Sequence, residues 1–115
     1  MRRGEIVTVS FDSSLGSEAA KTRPAVVVSN DAANATATRL GRGVITVVPV
    51  TSNIARIYPF QVLLPAHQTG LPQDSKAQAE QVRSVAVERI GRRVGQLPGA
   101  LISDLDQALR IHLSL

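Results

Sequence analysis

Four short runs of aliphatic and β-branched residues constrain this chain most: EIVTVSF (Glu5 to Phe11), PAVVVS (Pro24 to Ser29), GVITVVPV (Gly43 to Val50) and PFQVLLP (Pro59 to Pro65). None exceeds eight residues, and Gly, Pro, Asn, Asp or Ser stands at nearly every boundary. Runs of this length and composition are strands rather than helices, because a buried helix needs ten or more residues to complete an apolar face. Ala25 to Val28 is apolar at consecutive positions, which suits a strand buried on both faces. Pro24 lacks an N–H, so it is expected at the first position of its strand, with Arg23 on the lip of the preceding loop.

The connections carry as much information as the strands. Asp12 to Thr22 (DSSLGSEAAKT) reads as an eleven-residue loop, long for a hairpin. Asn30 to Thr38 reads as a small polar loop with one helical turn. Thr51 to Tyr58 reads as a second long loop, and Ala66 to Lys76 as a turn-rich segment. Ala77 to Ile90 is expected to hold one or two strands, and GRRVGQL after it a turn. The tail changes period: Ile102, Leu105, Leu109 and Leu113 recur at helical spacing, with Pro98 suited to a first helical turn. Five or six short strands and a C-terminal helix give a mainly β class and a small barrel. With 115 residues, no internal repeat and no linker, residues 1–115 read as one domain.

Composition removes several classes of function. There is no cysteine, so disulfides, zinc fingers and thiol catalysis are excluded. No secretory leader and no membrane-length apolar window is visible, so the chain is expected to be soluble and cytoplasmic, with no membrane partner. Thirteen basic residues stand against nine acidic ones; Lys21 and Lys76 are the only lysines, and the rest are arginines. Arginine is favoured where phosphate is gripped bidentately, although a GC-rich coding sequence gives the same bias. The three aromatics, Phe11, Tyr58 and Phe60, are too few for a platform stacking several bases.

No GxSxG, P-loop or HExxH motif is present. The acids lack metal-ligand spacing, so no metal and no cofactor is expected. His67 and His112 are solitary, and Asp104 and Asp106 fit a solvated helix face. What remains is a set of polar residues near strand ends: Arg23, then Thr51 and Ser52 directly after VVPV, then Glu80, Gln81 and Arg83 in a late strand. Guanidinium, hydroxyl and carboxamide groups together suit a phosphodiester better than a carbonyl.

RGEIVTVSFD, the long loop with GSE, TRPAVVVS, VVPVTSN, YPFQVLL and AEQVRSV, in this order over roughly residues 2 to 90, resemble the MazF/PemK (Kid-type) toxins of bacterial toxin–antitoxin systems. The resemblance implies an SH3-like barrel (CcdB/Kid/MazF-like), a homodimer, and a metal-independent, sequence-specific endoribonuclease acting on single-stranded RNA. It also implies an acidic, MazE-like antitoxin as partner, and a bacterial cytoplasmic setting. The family's RP arginine matches Arg23 and its P-x-T threonine matches Thr51, which become the expected catalytic pair. Ser17, Lys21, Ser52, Asn53, Arg56, Glu80, Gln81 and Arg83 are the expected RNA-binding residues. The chain departs from some relatives at Ser17, where they carry histidine, at Gln78, where they carry arginine, and at Glu80, where aspartate is usual. Two other classes share the barrel: a non-catalytic RNA-binding module, separated by assaying RNA cleavage, and a gyrase poison, separated by a supercoiling assay.

Overall fold

A computed structural model of the chain describes residues 1–12 and 21–115. Among the described residues, seven strands form one antiparallel sheet system: β1 (Glu5–Asp12), β2 (Lys21–Val27), β3 (Val44–Thr51), β4 (Gln61–Leu64), β5 (Ser75–Gln78), β6 (Arg83–Ala86) and β7 (Ile90–Gln96). The strand order is β4-β5-β3-β2-β1-β7, with β6 also paired to β3. Among the same residues three α-helices accompany it: α1 (Asp31–Leu40), the short α2 (Ala66–Thr69) and the C-terminal α3 (Gly99–Leu113).

The central strands β1, β2 and β3 are buried on both faces because each feeds two cores in alternation. Ile6, Val26, Val48 and Val50 belong to a core closed by Leu101, Leu105 and Ala108 of α3. Val7, Val9, Ala25, Val27, Ile45, Val47 and Val85 belong to the second, which Ala37 of α1 joins. This double burial is why the strands read as continuous apolar runs rather than as alternating ones.

β3 is the pivot. Val47 pairs with Arg83 of β6, whereas Val50 pairs with Ala77 of β5. Two residues of β3, Val48 and Pro49, therefore face five residues of the other chain segment. The excess is taken up by a 3₁₀ turn over Ala79–Gln81. Pro49 stands at the break, where the missing N–H costs no ladder bond on that side.

Several expectations are corrected. Pro24 is the fourth residue of β2, not the first. Its strand is paired with β1 as far as Lys21, but its pairing with β3 begins only at Ala25↔Pro49, so Arg23 and Pro24 overhang β3. Residues 30–38 are not a loop but most of a ten-residue helix. Asn30 caps it by accepting the Ala33 N–H at 2.8 Å, and Gly41, at φ 65°, stops it. Buried Asn34 ties this helix to the sheet through the Ser29 carbonyl at 2.8 Å.

GRRVGQL is not a turn but most of β7. Its glycines serve close approach instead: a Cβ on Gly91 would strike the Thr8 hydroxyl, and one on Gly95 the Thr69 carbonyl. The expected fourth strand shortens to Gln61–Leu64, and the segment expected to be turn-rich also holds α2 and the start of β5. Glu80 and Gln81 lie on the 3₁₀ turn rather than in a strand, with Arg83 opening β6. Pro98 caps α3 from outside, and the buried stripe is Leu101, Leu105 and Ala108, leaving Leu113 exposed. Asp106 is not simply solvated: it holds the Arg3 guanidinium at 2.7 Å, while Arg3 Nε donates to the Val28 carbonyl at 2.8 Å.

Candidate active site

The rows of side chains that build the second core run out at one end of the sheet, and there they change character. On β1 the row is Val7, Val9, Phe11; on β2 it is Val27, Ala25, Arg23; on β3 it is Ile45, Val47, Pro49; on β6 it is Val85, Arg83. Register keeps these ends together, since Val9 faces Arg23 and Val47 faces Arg83. Phe11, Arg23, Pro49 and Arg83, joined by Gln78 and Gln81, line a cleft of about 250 Å³. The Arg83 guanidinium lies 5.3 Å from the centre of the Phe11 ring, an arrangement that orients the charge without neutralising it.

A second cleft of about 250 Å³ adjoins it, lined by Arg23, Pro24, Thr51, Ser52, Gln73 and Ser75 among others. Arg23 lines both clefts, so its exposed guanidinium stands between the hydroxyl pair and the Gln81–Arg83 pair. The described residues place no carboxylate within ion-pair distance of Arg23 or Arg83.

Thr51 ends β3, and its Oγ1 accepts the Asn53 N–H at 3.2 Å. Asn53 Oδ1 in turn accepts the Ala55 N–H at 3.2 Å. These local turns fix the start of the β3–β4 connection and leave the Thr51 O–H as a donor. Asn53 thus supports the loop rather than lining either cleft.

Glu80 is also placed differently from Gln81 and Arg83. Its Oε2 accepts the Gln61 amide at 2.7 Å, its Oε1 is buried, and it lines neither cleft. Gln61 Oε1 accepts the Tyr58 N–H at 3.1 Å, so Glu80 anchors the far end of the same loop. Arg56 lies on that loop against Tyr58. Ser17 lies outside the described residues, and Lys21 is placed only as the first residue of β2.

Three residues escaped sequence reasoning. Gln73 and Ser75 complete the Thr51 cleft, and Gln61 is the polar link between Glu80 and Tyr58. Gln61 had one visible signal, a carboxamide in an apolar PFQVLL run where a silent position would be aliphatic. Among the described residues no cluster of His, Asp and Glu has the form of a metal site, and no helix is long and apolar enough to cross a membrane.

The chain is 67% identical to the endoribonuclease MazF9 of Mycobacterium tuberculosis over all of its own length and 98% of that protein. It is 28% identical to the endoribonuclease EndoA of Bacillus subtilis, over all of this chain and 96% of that one. Among solved structures, MazF of Deinococcus radiodurans superposes with a TM-score of 0.75 at 29% identity, covering all of this chain and 97% of that one. A MazE–MazF complex from the same organism superposes at 0.74 and 27% identity, over all of this chain and 96% of that one. The family model for the PemK-like, MazF-like toxins of type II toxin–antitoxin systems matches residues 2–113, and the chain belongs to that family.

Proposed function

We propose that this chain is the toxin of a bacterial, cytoplasmic toxin–antitoxin pair and that it cuts single-stranded RNA at specific sequences. The observation that carries the reading is the position of Arg23 between two clefts, with Thr51 and Ser52 on one side and Gln81 and Arg83 on the other. RNA brings its own nucleophile, the 2′-hydroxyl. The enzyme's task is to hold that oxygen in line with the phosphorus and to stabilise the charge that develops on the non-bridging oxygens.

Arg23 meets the second need with a planar fork matched to phosphate oxygens. The Thr51 O–H hydrogen-bonds the same phosphate, and Arg83 and Gln81 hold the adjoining strand. In the reaction the 2′-hydroxyl gives up its proton to solvent, the 2′-oxygen bonds to phosphorus, the P–O5′ bond breaks, and the departing 5′-oxygen gains a proton. Protonated arginine is a poor base but a competent donor and charge stabiliser, which is the role assigned to Arg23. The products are a 2′,3′-cyclic phosphate and a 5′-hydroxyl.

Because the charge is met by guanidinium groups, cleavage proceeds without added metal. The working form is a homodimer. An acidic, disordered segment of the antitoxin lies over the basic clefts and competes with RNA, as charge complementarity favours. The test is incubation of a single-stranded RNA with the purified protein, with and without EDTA, followed by end-group analysis. Cleavage to the stated ends supports the reading. Loss of cleavage in EDTA, or normal cleavage at a 2′-deoxy residue, overturns the mechanism. Inhibition of DNA supercoiling without RNA cleavage points to a gyrase poison.

A further inference from the structure

Two of the chain's three aromatic residues lie together outside both clefts. Tyr58 and Phe60 stack in parallel, with ring centres 5.3 Å apart and planes 3° from parallel. Tyr58 is 41% exposed. Two cations attend it: the Arg56 guanidinium at 5.6 Å from the ring centre and the Lys76 ammonium at 6.0 Å. Tyr58 is thus an exposed ring backed by the half-buried Phe60 and attended by cations.

This cluster is also held rigidly. Lys76 is buried, and its ammonium donates to the Arg56 carbonyl at 2.6 Å. Buried Gln61 accepts the Tyr58 N–H, and Glu80 accepts from Gln61. Arg56 Nη1 reaches the Tyr58 hydroxyl at 3.3 Å. Two buried polar side chains from β4 and β5 therefore fix the backbone of an otherwise exposed connection at Arg56 and at Tyr58. Such an investment in a surface loop suits a binding surface prepared in advance.

The cluster is in line with the proposed active site. Thr51 pairs with Lys76 and Lys76 with Leu63, so β3, β5 and β4 lie side by side, and β4 is roughly 9–10 Å from β3 at normal strand spacing. Gln78, which lines the Arg23 cleft, pairs directly with Gln61. A strand of RNA whose phosphate sits between Arg23 and Thr51 can thus lay a neighbouring nucleotide on Tyr58.

Resting on the RNA-cleaving reading above, we propose that Tyr58, backed by Phe60 and flanked by Arg56, is a shelf for one unpaired base near the scissile phosphate. Stacking takes the base face, and Arg56 supplies positive charge to the adjoining phosphate. Glu80, Gln61 and Lys76 are positioning residues that act through the loop. Part of the cut-site preference is therefore set by the β3–β4 connection.

The test uses the full-length protein and a single-stranded RNA oligonucleotide containing one mapped cut site, with each flanking nucleotide in turn replaced by an abasic ribose. The wild-type protein should show one position at which loss of the base lowers kcat/KM about tenfold or more, the scale of one stacking contact. Tyr58→Ala should lower kcat/KM on the intact RNA by a similar factor and be indifferent to the abasic change at that position only. Tyr58→Phe should retain both activity and base dependence.

If Tyr58→Ala cuts as well as wild type, or is weakened equally at every abasic position, the shelf is wrong although the nuclease reading stands. If the wild-type protein cuts no RNA, the nuclease reading itself fails. If Tyr58→Ala loses affinity for an acidic antitoxin peptide but keeps full RNA cleavage, the surface serves a protein partner and the proposal is overturned.

Discussion

On the proposed mechanism, replacing Arg23 should separate catalysis from folding. The side chain is exposed at the overhanging end of β2, past the last residue paired with β3. Its row-mates Ala25 and Val27 carry the core, and Arg23→Ala removes none of that burial. The stability cost should stay within about 0.5–1 kcal/mol, the range for exposed strand positions. The catalytic cost is set by a different quantity, the loss of a charge-assisted donor from the point where two clefts meet. Removal of such a group lowers turnover on the order of 10²–10⁴-fold, which is about 2.7–5.4 kcal/mol of barrier. The second figure exceeds the first several-fold, so activity collapses in a folded protein. Arg23→Lys should remain far below wild type, because an ammonium lacks the planar fork. The assay is single-turnover cleavage of one RNA oligonucleotide, with circular dichroism and thermal melting on the same samples. A folded Arg23→Ala variant with near wild-type turnover refutes the assignment and moves attention to Arg83 and Gln81.

Thr51→Ala should lose turnover by on the order of 10²-fold while Thr51→Ser loses little, since serine keeps both the O–H donor and the acceptor for the Asn53 N–H; kcat on saturating RNA decides it. Combined with Arg23→Ala, Thr51→Ala should add far less than its single effect, since the proposed mechanism has both groups act on one phosphate. Gly4→Ala should cost about 1–2 kcal/mol and lower Tm by roughly 5 °C. Gly4 sits at φ 93°, a conformation that strains an L side chain, whereas the end of the Ile102 side chain, 2.7 Å from an added Cβ, can move aside; a thermal melt within about 2 °C of wild type would contradict this strain. Asp106→Asn should cost about 1 kcal/mol by loosening Arg3, and the difference should shrink in 1 M salt, as urea melts at two ionic strengths will show.

The strands were legible because their burial is two-sided. Val26, Val48 and Val50 face one core while Ala25, Val27 and Val47 face the other, and no polar residue interrupts the runs. The helix α1 was not legible as a helix because its alanines and threonines offer little apolar contrast. Its evidence lay at the ends, in the Asn30 cap and the Gly41 stop. β7 was misread because Gly91 and Gly95 are turn residues by composition. Their purpose, close approach to Thr8 and to the Thr69 carbonyl, involves residues far away in sequence. Within the site, Arg23 and Thr51 stood out because each directly adjoins an apolar strand run. Glu80 and Gln81 are sequence neighbours with different environments, one turned onto Gln61 and the other lining a cleft. No local pattern separates them, because both lie on the 3₁₀ turn that takes up the excess between β5, β6 and β3.

That turn also explains how an ordinary core can end in a polar site. A period-two row has to stop somewhere, and the residue at its end is half inside the fold and half in water. On β1, β2, β3 and β6 the rows of one core stop together because the register holds Val9 against Arg23 and Val47 against Arg83. The last places are filled by Phe11, Arg23, Pro49 and Arg83. Aliphatic residues there would have lengthened the core and gained burial. Arginines, one resting over Phe11, set charge on a rigid base instead. The prolines act at the same level: Pro24 and Pro49 lie where β2 leaves β3 and where β3 passes from β6 to β5, and at those breaks an absent N–H leaves no unsatisfied partner. The strand ends are thereby freed from one neighbouring strand while another still holds them, a combination that suits a group required to meet a phosphate already in place.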